Sequence, residues 1–397
     1  MSEWKEYTLN EIYDFASGLS KSSDQFGYGF DFVSFKDVFY SFFLPNKLTN
    51  QVNSTEKERV SCSVKKGDVF LTRTSETQEE LGMSSVALKE YPNATFNGFT
   101  KRLRPKGTIA VLPEYAGYFF RSPNFRATVT SMSSMTTRAS LNNEMLSCLK
   151  ITLPDIETQK AIGYTLKALD NKIDLLHRQN ATLEAMAETL FRQWFVEEAK
   201  EDWEVKIITT FFEVRDGTHD SPKQKTFGKP LITSKHISNN KIDIESAYLI
   251  SEEDFENVNK RSKVDSNDIL FSMIGTIGLI YFEQSDSVNY AIKNIGLFKT
   301  SQNPIWRFYT YLWLKSQLGQ DFIHEHRSGS TQEYISLGSL RSISFDEPPK
   351  ILLEKFNVIV ATYFGKIKNN MNQIRTLITL RDTLLPKLMS GEVRVKM

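Results

Sequence analysis

Between Pro154 and Phe195 the apolar positions Ile162, Leu166, Leu169, Ile173, Leu176, Leu183, Ala187 and Leu190 follow one another at alternating steps of four and three. That spacing predicts one long amphipathic helix whose seam faces a second helix, with Asn180 as its only polar interruption. Most of the pattern returns near the C-terminus, where Phe356, Val360, Tyr363, Ile367, Ile374, Leu377 and Leu384 keep the same steps. There Asn370 and Arg381 occupy two of the seam places. The identities Pro154/Pro348, Lys172/Lys366, Ile173/Ile367, Gln179/Gln373, Leu183/Leu377, Thr189/Thr383 and Leu190/Leu384 all hold one offset of 194 residues. A gapless register that long is the mark of an internal duplication.

The segments before the two helices carry weaker echoes of each other. In the first, a short helical pattern runs from Leu9 to Phe15, followed by a Gly-, Ser- and Asp-rich loop, Ser17 to Gly29. Val64 to Thr74 reads as a turn feeding a strand, and Glu114 to Met132 as a helix with Tyr115, Tyr118 and Phe119 on one face. A polar loop, Ser131 to Ser140, and a last strand, Leu146 to Leu153, close the segment. In the second segment Trp203 stands where Trp4 stood, and Val264 to Ser272 matches Val64 to Thr72 with Asp68 and Asp268 in register. Pro304 to Phe322 repeats the aromatic helix, Ser328 to Ile335 the polar loop, and Leu340 to Phe345 the last strand. The expected fold is therefore α/β (α+β): two similar globular domains, 1–153 and 199–347, separated by two long helices, 154–198 and 348–397. The helices are expected to pair as an antiparallel coiled coil, giving a pseudo-twofold object. A helix of about forty residues is about 60 Å long. Asn180 and Asn370 either fix helix register or lie at a wet edge of the seam.

Composition narrows the classes. A chain of 397 residues with 40% hydrophobic and 24% charged residues exceeds one ordinary core. The net charge of +1 gives no global argument for a nucleic-acid partner, so any basic surface must be local. Cys62 and Cys148 alone provide neither a disulfide framework nor a zinc set, which suits a reducing cytoplasm. Neither a signal peptide nor a membrane span is expected, since Ile269 to Phe282 is too short and glycine-interrupted. Two similar heads on a spacer suit a two-part target such as DNA with two half-sites.

Several stretches then become recognisable. Leu153 to Ile162 running on to Ile173, Thr189 to Phe195, and Leu380 to Glu392 resemble the spacer helices of specificity subunits of Type I restriction–modification systems. Asp216-Gly217-Thr218-His219-Asp220-Ser221-Pro222-Lys223 and Gly329-Ser330-Thr331-Gln332 resemble motifs of that family's target-recognition domains. The resemblance spans essentially the whole chain. It implies two target-recognition domains, each reading one half of a bipartite DNA sequence, with helices that set the unread spacing. It also implies two methylation subunits docked on the helices and carrying S-adenosylmethionine, and restriction subunits carrying ATP and Mg. No cofactor is expected on this chain, which would not be an enzyme. The first domain departs from the pattern, lacking a Gly-Thr-His-x-x-Pro stretch at the matching place, and Ile351 and Leu352 replace the usual polar residues at the start of the second helix.

The rival readings are a self-contained DNA methyltransferase or nuclease and a two-headed protein scaffold. Glu347-Pro348-Pro349 lacks both ends of the amino-methyltransferase motif, and no phosphate-cradling glycine loop follows a strand. Glu204-Val205-Lys206 has a nuclease-like spacing without an aspartate strand before it, and His324 with His326 lacks a third ligand. Candidate DNA contacts are Thr218, His219 and Lys223 on a turn shaped by Gly217 and Pro222, and Arg327, Ser330, Thr331 and Gln332 on a polar loop. In the first domain they are Thr136, Thr137 and Arg138, Arg73 and Thr74 after the shared strand, and the basic run Lys101, Arg102 and Arg104. The alternatives are a structural turn with His219 packed inward, a helix cap at Ser328 to Gln332, and a solvated basic face. The helix positions expected to serve as spacer and partner dock are Ile162, Leu166, Leu169, Ile173, Asn180, Leu183, Val360, Tyr363, Ile367, Asn370 and Leu377.

Overall fold

The computed structural model describes residues 4–75, 80–132, 139–238, 241–329 and 333–395. The chain divides into two compact units: residues 1–175 with 373–397, and residues 176–372. Both long helices form, over Ile156–Arg192 and Lys350–Met389, and each contributes one part to either unit. Asp155 caps the first by accepting the Thr158 amide at 2.8 Å. A π-helical turn, Gln193–Glu197, ends it.

In the first unit the strands Tyr13–Ser17, Thr100–Pro105, Val69–Thr72 and Ser84–Val86 lie side by side in that order, all antiparallel. A second sheet sets Phe26–Val33 between Asn50–Val52, antiparallel, and Thr95–Phe96, parallel. A ribbon of Lys5–Thr8 and Lys150–Leu153 closes the domain. The second unit has the same plan. Val214–Asp216, Ile295–Phe298, Ile269–Ser272 and Ile280–Phe282 form the larger sheet, and Leu249–Ile250, Lys229–Ile232 and Ala291–Ile292 the smaller. Glu204–Ile207 with Ser344–Glu347 is its closing ribbon. The duplication in the helices thus extends to strand order and direction.

Three expected elements are differently built. The aromatic helix of each domain is broken in two, as Pro113–Phe119 and Pro123–Met132, and as Arg307–Lys315 and Gln317–Glu325. Proline breaks the first pair. In the second, Ser316 turns to extended backbone (ψ 168°) and its side chain caps the Gln317–Glu325 helix. The expected last strands begin as short helices, Asn143–Cys148 and Leu337–Arg341, started by the side-chain caps of Asn142 and Ser336. The initial helix is only Leu9–Ile12, because Tyr13–Ser17 already belongs to the sheet.

Each domain's core absorbs part of both helices. In the first unit Ile162 and Leu166 of one helix and Leu385, Leu388 and Met389 of the other join Leu71, Leu103, Tyr115 and Tyr118. Asp170 accepts from the Tyr118 hydroxyl at 2.5 Å and pairs with Arg381 at 2.8 Å, which explains a cation in a seam place. In the second unit Phe191 and Phe195 pack with Phe356, Val360 and Phe364 against Tyr309 and Phe345. Within each unit the helix segments run antiparallel: Ile162 lies near Gly391 and Asp170 near Arg381 in one, Phe191 by Phe356 and Asn180 by Asn370 in the other. Ile173 and Ile367 are buried seam members, whereas Leu169, Leu183, Tyr363 and Leu377 are half-buried. Phe364, not its neighbour Tyr363, fills the core.

The two seam asparagines bond to each other. Asn370 is fully buried and donates its Nδ2 to Asn180 Oδ1 at 2.8 Å, which disposes of the wet-edge alternative for Asn370. An amide pair across a seam is satisfied only in one axial alignment, since slippage strands both groups in an apolar interface. Asn370→Leu alone is expected to destabilise the second unit by about 1–3 kcal/mol by leaving Asn180 without its partner. Changing both to leucine should recover most of that loss in denaturant titrations; an uncoupled pair of effects would remove the register role.

Candidate nucleic-acid interface

Because the larger sheets are antiparallel throughout, alternate strand ends collect at one edge. In the first domain Ser17 lies opposite Lys101, Thr72 opposite Thr100, and Leu71 opposite Ser84. That edge therefore gathers the loop after Ser17, the turn Asn97–Phe99 and the segment Arg73–Thr74. Thr74–Ser75 pairs there with Ala139–Ser140, which brings in the end of the polar loop. In the second domain Asp216 lies opposite Gly296, Ser272 opposite Ile295, and Phe271 opposite Ile280. Its edge gathers Gly217 onward, the Lys293–Asn294 turn and Met273–Gly278, and the bridges of Tyr334 with Ile274 and with Ser328 bring Tyr334 and Ser328 there. Arg73, Thr74, Thr218, His219 and the neighbourhood of Arg327 thus fall on corresponding edges of two like domains. Thr136, Thr137, Arg138, Ser330, Thr331 and Gln332 lie outside the described residues.

The edge loop of the second domain is fixed by close backbone approach. A Cβ on Gly217 would stand 2.5 Å from the Ile292 carbonyl oxygen, so only glycine lets Thr218 N bond that oxygen, at 3.0 Å. Thr218 Oγ1 accepts the Asp220 amide at 3.1 Å. The His219 ring spans two oxygens, with Nε2 2.9 Å from Asp216 Oδ2 and Nδ1 2.8 Å from Asn294 Oδ1. Asn294 takes a left-handed φ of 53° to reach it. Buried Asp216 also pairs with Arg261. The His219 side chain keeps 63% of its exposure, so the inward-packed alternative does not hold. Lys223 is exposed, and Arg327 makes a 3.4 Å pair with Glu333.

The first domain has the same loop in other residues. Gly18 is pressed against the carbonyls of Phe96 and Asn97, Leu19 N bonds Phe96 O at 2.8 Å, and Gly98 N returns to Leu19 O at 2.7 Å. Thr218, Ile292 and Asn294 make the matching bonds in the second domain. Gly18-Leu19-Ser20 is therefore the counterpart of Gly217-Thr218-His219. Both domains have the glycine, where the backbones meet; the flanking side chains, which carry the motif, differ.

The basic run Lys101, Arg102 and Arg104 does not form a phosphate-facing surface. Lys101 is buried, its Nζ held by Ser17 Oγ at 2.9 Å and Asn143 Oδ1 at 2.8 Å. Burial, and then the charge of Arg73, lowers its pKa. Arg102 is also buried, donating to the Ser61 and Ser63 carbonyls, and burial lowers its pKa too. Arg104 grips Asp68 through two bonds of 2.8 and 2.6 Å. The same pair recurs as Lys299 with Asp268, and both aspartates are fully buried at the turn before the central strand. The register of Asp68 with Asp268 in the sequence marks this core ion pair.

His326 stacks on Phe322 with Nδ1 2.9 Å from the Phe322 carbonyl. Among the described residues no group of His, Cys, Asp and Glu is placed to hold a metal, and no helix is long and apolar enough to cross a membrane.

Two like α/β domains, each joined to long helices and each gathering polar loops on one sheet edge, define a duplicated recognition module. The chain belongs to the family of the Type I restriction modification DNA specificity domain, whose model matches residues 1–185 and again 200–377. It is 25% identical over 427 residues to the Type I restriction enzyme MjaIX specificity subunit of Methanocaldococcus jannaschii, covering 99% of this chain and 94% of that one. It is 23% identical over 477 residues to the HindI specificity subunit of Haemophilus influenzae, covering 99% and 100% respectively. The crystal structure of a Type I restriction–modification S subunit from M. genitalium shares the fold, with a TM-score of 0.56, 14% identity and coverage of 98% and 96%.

Proposed function

We propose that the chain is the DNA sequence-recognition subunit of a Type I restriction–modification complex, reading one half of a bipartite target with each domain. The observation that carries this reading is the presence, in two domains matched by the specificity-domain family, of the same loop-bearing sheet edge. Its loops differ in sequence while the backbone beneath them is kept, as different half-sites require. The recognition residues we assign are Thr218, His219, Lys223 and Arg327 in the second domain and Arg73 and Thr74 in the first. Backbone amides and hydroxyls at such an edge position the phosphates, arginine reaches base edges, and His219, with both ring nitrogens held by Asp216 and Asn294, shapes the loop and offers its exposed ring.

The subunit itself is non-catalytic and binds no cofactor. Two methylation subunits, docked on the exposed faces of the long helices, bring S-adenosylmethionine; restriction subunits bring ATP and Mg for cleavage, and the complex works in the cytoplasm. The helices set the number of unread base pairs between half-sites.

The test is to map methylated sites genome-wide in cells carrying the chain with its methylation partner. Exchanging residues 1–153 for the corresponding domain of another family member should then replace one half of the mapped sequence and leave the other intact. A change in both halves would sink the one-domain, one-half reading, and methyl transfer by the purified chain alone would sink the non-catalytic one.

A further inference from the structure

The two domains share one more feature, in the smaller sheet. The strand Phe26–Val33 leaves its partner and rejoins it, since Phe26 and Phe30 both lie opposite Val52. Gly27, Tyr28 and Gly29 bulge out between them. In the second domain Lys225 and Pro230 both face Leu249, and Thr226, Phe227 and Gly228 bulge out. The parallel neighbours fix the correspondence. Phe32 sits opposite Thr95 as Leu231 sits opposite Ala291, which places Tyr28 at the position of Phe227 and Gly29 at that of Gly228.

Both glycines have backbone that a side chain would not tolerate. Gly29 has φ +101° and a Cβ there would meet the Val52 carbonyl oxygen at 2.7 Å; Gly228 has φ +145° and would meet the equivalent carbonyl of Ile250. What the two bulges present is an exposed ring, Tyr28 at 49% and Phe227 at 85% of full accessibility. An aromatic ring held in water on a glycine-only bulge adds nothing to a core, and its recurrence in two domains of different sequence points to a contact. Each ring has cations near it among acidic groups: the Arg59 guanidinium lies 3.8 Å over the neighbouring Phe30 ring with Asp24 and Asp31 exposed close by in sequence, and Lys223 and Lys225, both exposed, precede Phe227, with Glu245 beside Lys225. Cations beside a bare ring suit a polyanion with π-faces better than the apolar surface of a protein.

We propose that Tyr28 and Phe227 are nucleobase-stacking contacts, one per domain, each laying its ring on a base of the half-site that its domain reads. The proposal rests on the DNA-recognition reading above. Every base has a π-face, which in a duplex is reached where a base step is opened or a base is turned out of the stack, so such a contact adds affinity with little sequence preference. The rings therefore hold the DNA while the loop edge reads it.

The full chain is tested with a pool of random-sequence duplexes, from which bound sequences are recovered and affinities measured. Tyr28→Ala and Phe227→Ala should each weaken binding about tenfold, without altering the recovered sequence or the melting temperature. Tyr28→Phe and Phe227→Tyr should restore it, whereas Tyr28→Leu and Phe227→Leu, equally apolar but without a π-face, should bind like the alanine forms. Unchanged affinity in the alanine forms, or full binding by the leucine forms, overturns the stacking role and leaves the recognition reading standing. Loss of assembly with a methylation subunit at unchanged DNA affinity makes the rings a protein contact and overturns it as well. If the unaltered chain binds no duplex, alone or with its methylation subunits, the recognition reading fails and the proposal with it.

Discussion

Asp268→Asn is expected to lower the melting temperature of the second unit by roughly 10 °C, and Asp68→Asn to lower that of the first by distinctly less. Asp268 is fully buried, accepts the Asp265 amide at 2.7 Å and the Ser301 amide at 3.1 Å, and pairs with a buried Lys299. Asparagine keeps the turn but removes the charge, leaving an ammonium inside the domain with Asp265 and the Lys263 carbonyl. Breaking a buried pair costs about 3–5 kcal/mol, and the Asp265 partner that Lys299 keeps holds the loss to the low end of that range. At about 2–4 °C per kcal/mol for a unit of this size, the shift is roughly 10 °C. The Arg104 side chain keeps 23% exposure and can turn to water when Asp68 loses its charge, so the first domain gives up less. Calorimetry of the two variants decides the matter; equal shifts, or none, would show that the pair is not what pins the turn to the sheet.

Inserting four residues into the central helix between Asp170 and Leu183 is expected to widen the spacing between half-sites by about two base pairs. Four residues add about 6 Å of rise, and a base pair occupies about 3.4 Å. The half-sites themselves should read as before, because the recognition edges belong to the sheets, which the insertion does not interrupt. The amide pair of Asn180 with Asn370 sharpens the expectation. An insertion placed before Asn180 keeps that pair and moves Asp170 off Arg381, whereas one placed after it keeps the Asp170–Arg381 pair and parts the asparagines, so each should cost stability in a different unit. Mapping methylated sites for both insertions reads spacing and strength together. Unchanged spacing in the first would remove the helices from any role in setting it.

How far the sequence foretold the molecule depended on the length of each signal. The helices were legible because their four-and-three pattern repeats many times, and the offset between copies is constant along them. Between the domains it drifts, to 199 residues at Gly18 and Gly217 against 194 at Pro154 and Pro348. A fixed offset therefore passed over Gly18-Leu19-Ser20 as the partner of the Gly-Thr-His stretch, and backbone bonds rather than side chains revealed it. Lys101 and Arg102 misled for another reason. Successive strand residues point to opposite faces, and here structure covers both, so two adjacent cations are buried among carbonyls, an amide and a hydroxyl. The bulges of Tyr28 and Phe227 had no sequence signal, since a lone aromatic before glycine is common and only strand register shows that the two coincide.

The division of the chain into units has a consequence for its synthesis. The second unit is one continuous run, residues 176–372, whereas the first needs 373–397 to complete it. Leu385, Leu388 and Met389 belong to the first domain's core, and Gly391 lies against Trp4. On the ribosome, then, the domain made first is finished last. It waits with the apolar flank of Ile162 and Leu166 uncovered while the later domain already has every residue it uses. A nascent chain halted before residue 373 would carry one folded unit and one open one, and the open one would be the N-terminal.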